Sequence, residues 1–145
     1  MAMADETSSF ELITDEERAQ LERLWKEGRL RHQQEQVLAF ACEQRVEILQ
    51  IAGEPRDPVA LAAATRRLIT RLRCVHQPSE MRDQVREMHN EIWYCGQRGD
   101  HDRSRIQLEW AARHGSNWRR WRIKEYLFLA EHCAGEIAAI LNSGS

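Results

Sequence analysis

The sequence predicts an all-α protein, and three observations support this. Helix-forming residues such as Ala, Leu, Glu, Gln and Arg dominate the composition. Proline occurs only three times, always in the middle third of the chain. Few runs alternate Val, Ile and Thr with polar residues as a strand requires. With 145 residues, a common domain size, we expect one up-down-up-down bundle over 14–142, with two long and two short helices. A polar, partly disordered lead-in over 1–13 precedes it.

The first long helix is predicted over Asp15–Ala52. Its start is marked by Thr14 and Glu17, which have the spacing of a capping box. Apolar residues then recur in steps of three and four, the period of a buried helical stripe. Gly53 and the prolines that follow predict its end.

Two short helices are predicted next. Asp57 and Pro58 read as the cap and first turn of a helix that runs to about Val75. The run Gln77-Pro78-Ser79 is expected to break it, and the third helix is expected from Glu80 to Cys95. Gly96 and Gly99 predict a tight connection to the last helix.

The second long helix is predicted over His101–Leu141, with Asp100 as its cap. Its apolar and aromatic residues again recur in steps of three and four. The glycine-containing run at 115–117 is the one credible break, and we expect the helix to continue through it.

These helix lengths do not match. The long helices would span about 57 and 61 Å and the short ones about 25 Å, so half of each long helix would be uncovered. That half is apolar, which is unfavourable in water. The long helices either bend at Gly28 and Gly115 or pack against another protein. We expect association, and the predicted partner-binding residues are Leu21, Trp25, Leu127, Phe128, Ile137 and Ile140.

A segment rich in tryptophan and arginine lies within the last helix, over 110–126. It suits a packed aromatic stripe with arginines laid over the rings, a protein interface, a small-ligand site or a single-stranded nucleic acid. The predicted ligand site or second interface is Trp110, His114, Trp118, Arg119, Trp121 and Arg122. A net charge of −2 and only two lysines disfavour nucleic acid.

No catalytic motif is present. The sequence lacks a nucleophile elbow, a phosphate-binding loop and paired metal-ligand motifs, so neither an enzyme nor a cofactor is expected. The weak candidates for a metal are His32, Glu35 and His114, which the predicted bundle places at one level. A layer of hydrogen-bonded polar side chains accounts for the same residues.

The expected location is the cytoplasm. Residues 1–13 carry acidic charge and no apolar run, unlike a secretory signal. No apolar stretch approaches the ~20 residues that span a bilayer. The four cysteines form neither a CxxC pair nor a zinc signature, which favours reduced thiols.

The sequence therefore favours a non-enzymatic interaction or accessory protein that forms a homodimer or docks on a larger protein. One alternative is a helical bundle that binds a metal or small ligand in its polar layer. The other is nucleic-acid binding through the Trp/Arg-rich helix.

Overall fold

The computed structural model describes residues 13–54 and 56–143. Within these ranges it contains seven helices and no strand, which confirms the all-α prediction. None of these helices combines the length and apolarity needed to cross a bilayer. The predicted lead-in lies outside the described residues, except for Ile13. The helices are α1 (Asp15–Lys26), α2 (Arg31–Glu43), α3 (Arg45–Ala52), α4 (Pro58–Leu72), α5 (Gln77–Gln97), α6 (Arg103–His132) and α7 (Ala134–Ser143).

The region predicted as the first long helix forms three helices, α1 to α3. The capping box at its start is present: the Thr14 amide donates to Glu17 Oε1 over 2.9 Å, and the Glu17 amide donates to Thr14 Oγ1 over 3.1 Å. The bend at Gly28, one of the two alternatives above, ends α1, because Gly28 takes a φ of +74° that favours glycine. A second interruption falls at Gln44, with φ −102° and ψ 23°, where no glycine or proline signals it.

The caps of α4 and α5 agree only in part with the sequence prediction. Asp57 caps α4 as expected, accepting from the Ala60 amide over 2.8 Å. α5 begins at Gln77 rather than at Glu80, because Pro78 lies in its first turn, where a missing amide proton costs nothing. His76 is its N-cap, and its ring nitrogen accepts from the Ser79 amide.

α6 runs through Gly115 without a break, as predicted. Its start differs, because Asp102 rather than Asp100 accepts from the Arg105 amide in the first turn. Its end differs too: one residue, Cys133, separates it from α7. In the described part of the chain, seven helices of 8 to 30 residues therefore stand where two long and two short helices were predicted.

The chain divides into two compact units, and the single bundle domain over 14–142 stays a prediction. The first unit contains the described residues up to Val75 and those from Arg122 onward. The second unit contains His76–Trp121. The boundary falls inside α6, between Trp121 and Arg122.

The centre of the first unit is the C-terminal part of α6. All nine residues from Arg122 to Ala130 are buried, whereas a surface helix buries only one stripe. A helix buried on every side must be surrounded by other helices. The surrounding core side chains come from α1 to α4 and α7 and include Leu21, Phe40, Ile48, Leu61, Ile69 and Ile137.

This buried helix carries charged and polar side chains, and two of its charges pair with side chains on other helices. Lys124 Nζ donates to Glu17 Oε2 of α1 over 2.7 Å. Gln33 Nε2 of α2 donates to Glu125 Oε1 over 3.1 Å, and Arg122 lies 3.5 Å from the same carboxylate. Buried charges are tolerated only when they are paired in this way.

The residues predicted to bind a partner lie mainly in this core. Leu21, Leu127, Phe128 and Ile137 are at most 2% exposed, and Trp25 and Ile140 are half-buried. The expectation of an uncovered apolar arm was therefore wrong, because the bend at Gly28 and the packing of α7 cover these side chains within the chain.

We expect the phenol of Tyr126 to stabilise the first unit. Tyr126 Oη donates to Gln36 Oε1 over 2.9 Å, and both side chains are buried. Tyr126→Phe leaves that amide oxygen without its donor and should lower the free energy of unfolding by about 1–3 kcal/mol. Tyr94→Phe is the matched control, because Tyr94 is 56% exposed, and it should change little. Urea unfolding followed by circular dichroism measures both; equal effects would contradict the assignment.

We also expect acid to remove the contribution of Glu17. The hydrogen bond from Lys124, followed by that from the Thr14 amide, lowers the pKa of Glu17. A lowered native pKa gives stability that is present above the unfolded pKa, about 4.3, and is lost as the pH falls through the native value.

Glu17→Gln keeps a capping side chain and removes only the charge. Its free energy of unfolding should lie below that of the wild type at pH 7, and the difference should shrink towards pH 3. Glu16→Gln, an exposed change in the same turn, should show a smaller difference. A Glu17→Gln deficit that stays constant with pH would disprove the charge effect.

Candidate functional site

The second unit is a helical hairpin formed by α5 and α6 up to Trp121. The chain reverses between Arg98 and Asp102. Gly99 takes a φ of +90° there, and the Asp100 amide donates to the Cys95 carbonyl over 2.9 Å. Gly99 has the left-handed conformation typical of a C-terminal glycine cap, whereas Gly96, which the sequence also placed in the connection, lies within α5.

One arginine clamps this turn to the first turns of α6. The Arg105 guanidinium pairs with Asp100 and also donates to Glu109 over 2.9 Å. Arg105 holds the pKa of the Asp100 carboxyl below its usual range, and the Asp102 amide adds to this. The carboxylate at Asp100 therefore serves the turn, whereas Asp102 serves as the helix cap.

The two helices of the hairpin share a small core. Cys95 of α5 and Ile106 and Trp110 of α6 are its buried apolar side chains. Arg113 lies 3.8 Å from Glu91 and links the helices through charge. A hairpin with so few buried side chains leaves much of its apolar surface outside its own core.

Apolar side chains remain exposed along α5. Met81, Val85, Trp93 and Tyr94 are 45–59% exposed, and the Trp93 and Tyr94 rings contact each other edge-on, 5.1 Å between centroids. We call these four residues the α5 face. Single exposed apolar residues are ordinary, but a run of them along one helix is typical of an interaction surface.

The Trp/Arg segment predicted as the ligand site or second interface is more covered than expected. Its tryptophans are buried or half-buried, with Trp110 only 7% exposed and 5.4 Å from the His114 ring. His114 and Arg119 are exposed. Arg122 belongs to the first unit, where it is buried beside Glu125. The six residues are Trp110, His114, Trp118, Arg119, Trp121 and Arg122, and the structure divides them between its two units.

Sequence reasoning did not select Trp93 and Tyr94, although a signal was available. Adjacent residues on a helix point about 100° apart, so two neighbouring aromatic rings do not both fit one narrow seam. In a hairpin with a single seam, such a pair must expose at least one ring.

The weak metal candidates belong to different units. His32 and Glu35 are exposed on the first unit, and His114 is exposed on the second. In the described part of the chain, no group of three or more His, Cys, Asp or Glu side chains could hold a metal ion.

Comparison with known proteins found no relative. No family model, no curated protein and no solved structure matches this chain. A functional assignment therefore depends on the residues of the two units.

We expect the two glycines of the hairpin turn to respond in opposite ways to alanine. At Gly99 the positive φ makes Gly99→Ala destabilising, by about 1 kcal/mol. Gly96 is helical, and an added Cβ would lie 3.5 Å from the His101 ring, an ordinary contact. Gly96→Ala should therefore be neutral or stabilising by up to about 1 kcal/mol. Thermal unfolding of the two variants compares them, and a stabilised Gly99→Ala variant would refute this account of the turn.

Proposed function

We propose that this protein is a non-enzymatic interaction protein that pairs with a second copy of itself through the α5 face. The observation that carries the proposal is the exposure of Met81, Val85, Trp93 and Tyr94 along one helix. Aromatic residues and methionine are enriched at protein interfaces, and exposed apolar area of this kind favours burial against a partner.

The spacing along α5 supports pairing with another helix. Met81, Val85, Met88 and Ile92 follow one another in steps of four, three and four, the pattern of a coiled-coil seam. In an antiparallel pair centred between Arg86 and Glu87, Met81 lies opposite Ile92 and Val85 lies opposite Met88. Every layer of the seam is then filled by two apolar side chains.

The charges near the seam do not oppose this pairing. Arg82 and His89 flank it on one side, and Gln84 and Glu91 flank it on the other. In an antiparallel pair, the same side of the seam faces its counterpart on the other helix. Arg82 of one copy therefore faces His89 of the other, and Gln84 faces Glu91. Neither combination joins two charges of one sign while the histidine is neutral. The second unit as a whole has eight arginines and seven carboxylates, a formal charge of 8 − 7 = +1.

The nucleic-acid alternative has less support from the geometry. It would use Arg113, Arg119, Arg120 and Arg122 of the Trp/Arg segment. Of these, Arg113 lies against Glu91 and Arg122 is buried beside Glu125. Cations that already face carboxylates contribute little to binding a phosphate backbone.

We expect the protein to form a dimer, and we expect the dissociation constant of that dimer to depend on the α5 face. A double change, Met81→Ser with Val85→Ser, removes apolar area from the seam and should weaken the dimer at least tenfold, an effect of about 1.4 kcal/mol. Light scattering behind size exclusion, across a concentration series, gives the molar mass.

Val59→Ser is the matched control, because Val59 is 78% exposed on the first unit. It should leave the dimer intact. A wild-type protein that stays monomeric at about 100 µM, well above the micromolar Kd of weak interfaces, would overturn self-association. A dimer whose dissociation constant is unchanged by the double change would show that the interface does not involve α5.

A further inference from the structure

The first unit has a cleft of about 450 Å³. It lies where α1 ends and α2 begins, and it is lined by Trp25, Lys26, Gly28, Leu30, Arg31 and Gln34. Its volume falls in the range of small-molecule sites in proteins, about 300–1,000 Å³. The proposed pairing of α5 does not involve any of these residues.

Contacts with the rings of His132 and Phe128 fix the apolar part of the cleft. The Trp25 ring meets the His132 ring edge-on, with 4.5 Å between centroids. His132 in turn stacks on Phe128 at 5.3 Å and 17°. Leu30, 1% exposed, supplies a buried aliphatic side chain beside Trp25. A fixed indole next to an aliphatic surface suits a flat apolar ligand.

The polar part is fixed as well. Gln34 Nε2 lies 3.7 Å from Cys133 Sγ and 3.5 Å from Glu136 Oε2, so two residues of the C-terminal segment position its amide. Burial, together with the Glu136 charge, raises the pKa of the Cys133 thiol. The thiol therefore stays neutral near pH 7 and adds no negative charge to the cleft.

Two cations border the cleft. Lys26 and Arg31 are exposed, and neither takes part in a salt bridge within residues 13–54 and 56–143. The neighbouring Glu27 and Arg29 pair with each other at 3.7 Å, so their charges cancel. With Glu136 counted beside Gln34, the formal charge is 1 + 1 − 1 = +1, which matches a monoanion.

The backbone at the entrance leaves this charge accessible. Gly28 has a φ of +74° and no side chain, and a Cβ there would lie 3.7 Å from Arg31 Nε. α2 starts at Arg31 without a side-chain cap, so its first-turn amides add partial positive charge beside the two cations.

We propose that this cleft binds a planar aromatic carboxylate. Its ring would lie against Trp25 and Leu30, and its carboxylate would face Arg31, whose guanidinium can donate two parallel hydrogen bonds. Lys26 would contribute a second positive charge. The Gln34 amide, already fixed, would line the side of the ligand.

A pair of matched probes tests the proposal, naphthalene-2-carboxylate and its neutral carboxamide. They share one ring system and differ in charge. Titration followed by the tryptophan indole N–H signals in ¹H–¹⁵N NMR spectra reports binding, and Trp25→Phe identifies the Trp25 signal. A ligand of this size is expected to bind with a Kd of about 1 mM. The carboxylate should shift the Trp25 signal and bind at least about fivefold more tightly than the amide.

Charge-removing variants locate the site. Lys26→Met and Arg31→Met should each weaken the carboxylate about fivefold to tenfold and leave the amide unchanged. Arg71→Met is the matched control, because Arg71 is an exposed arginine of the first unit that does not line the cleft. It should leave both probes unchanged.

Three results would overturn the proposal. They are equal affinity for the two probes, an equal loss in Arg71→Met, and no shift of the Trp25 signal at about 5 mM carboxylate, roughly five times the expected Kd. Variants of the α5 face, such as Trp93→Ser, should bind the carboxylate normally, so failure of the proposed dimer leaves this test intact.

Discussion

The complete burial of residues 122–130 is the constraint on which the first unit depends. A helical segment without a solvent-facing side must bring its charges into the core, so each charge needs a partner there. Glu17 of α1 pairs with Lys124, and Gln33 of α2 donates a hydrogen bond to Glu125. These pairs fix which face of α1 and α2 turns inward, and so they position the short helices that a hydrophobic stripe alone leaves free to rotate.

Much of the local structure could be predicted from the sequence. The caps at Thr14 and Asp57 are governed by neighbouring residues, and the structure contains both. The continuity of α6 through Gly115 also followed from its apolar period. The interruptions at Gln44 and Cys133 could not be predicted, because no local signal marks them; Arg45, beside the first, donates to the Leu141 carbonyl over 2.8 Å, a contact between distant parts of the chain.

The sites were harder to predict than the helices, for a physical reason. Apolar residues such as Phe128 look the same in sequence whether another helix of the same chain or a second molecule covers them. Because the chain bends at Gly28, Leu21 and Phe128 lie in the core of the first unit and are not exposed to a second molecule. The same bend opens the cleft beside Trp25, a feature that exists only because α1 and α2 are separate helices. Trp93 and Tyr94 differ, since their adjacency alone implies an exposed ring.

The wide separation of core partners along the chain has a consequence for how the protein is made. Lys124 and Glu17 are 107 residues apart, and Tyr126 and Gln36 are 90 apart. During synthesis, the α1 to α4 helices leave the ribosome long before the segment that they enclose. The hairpin of α5 and α6 has only neighbouring contacts to make and can close early, because local contacts form fastest. Nascent chains therefore lack the segment that covers Leu21, Phe40 and Ile48 until residues 122–130 are translated, and apolar side chains exposed during synthesis favour aggregation or chaperone binding.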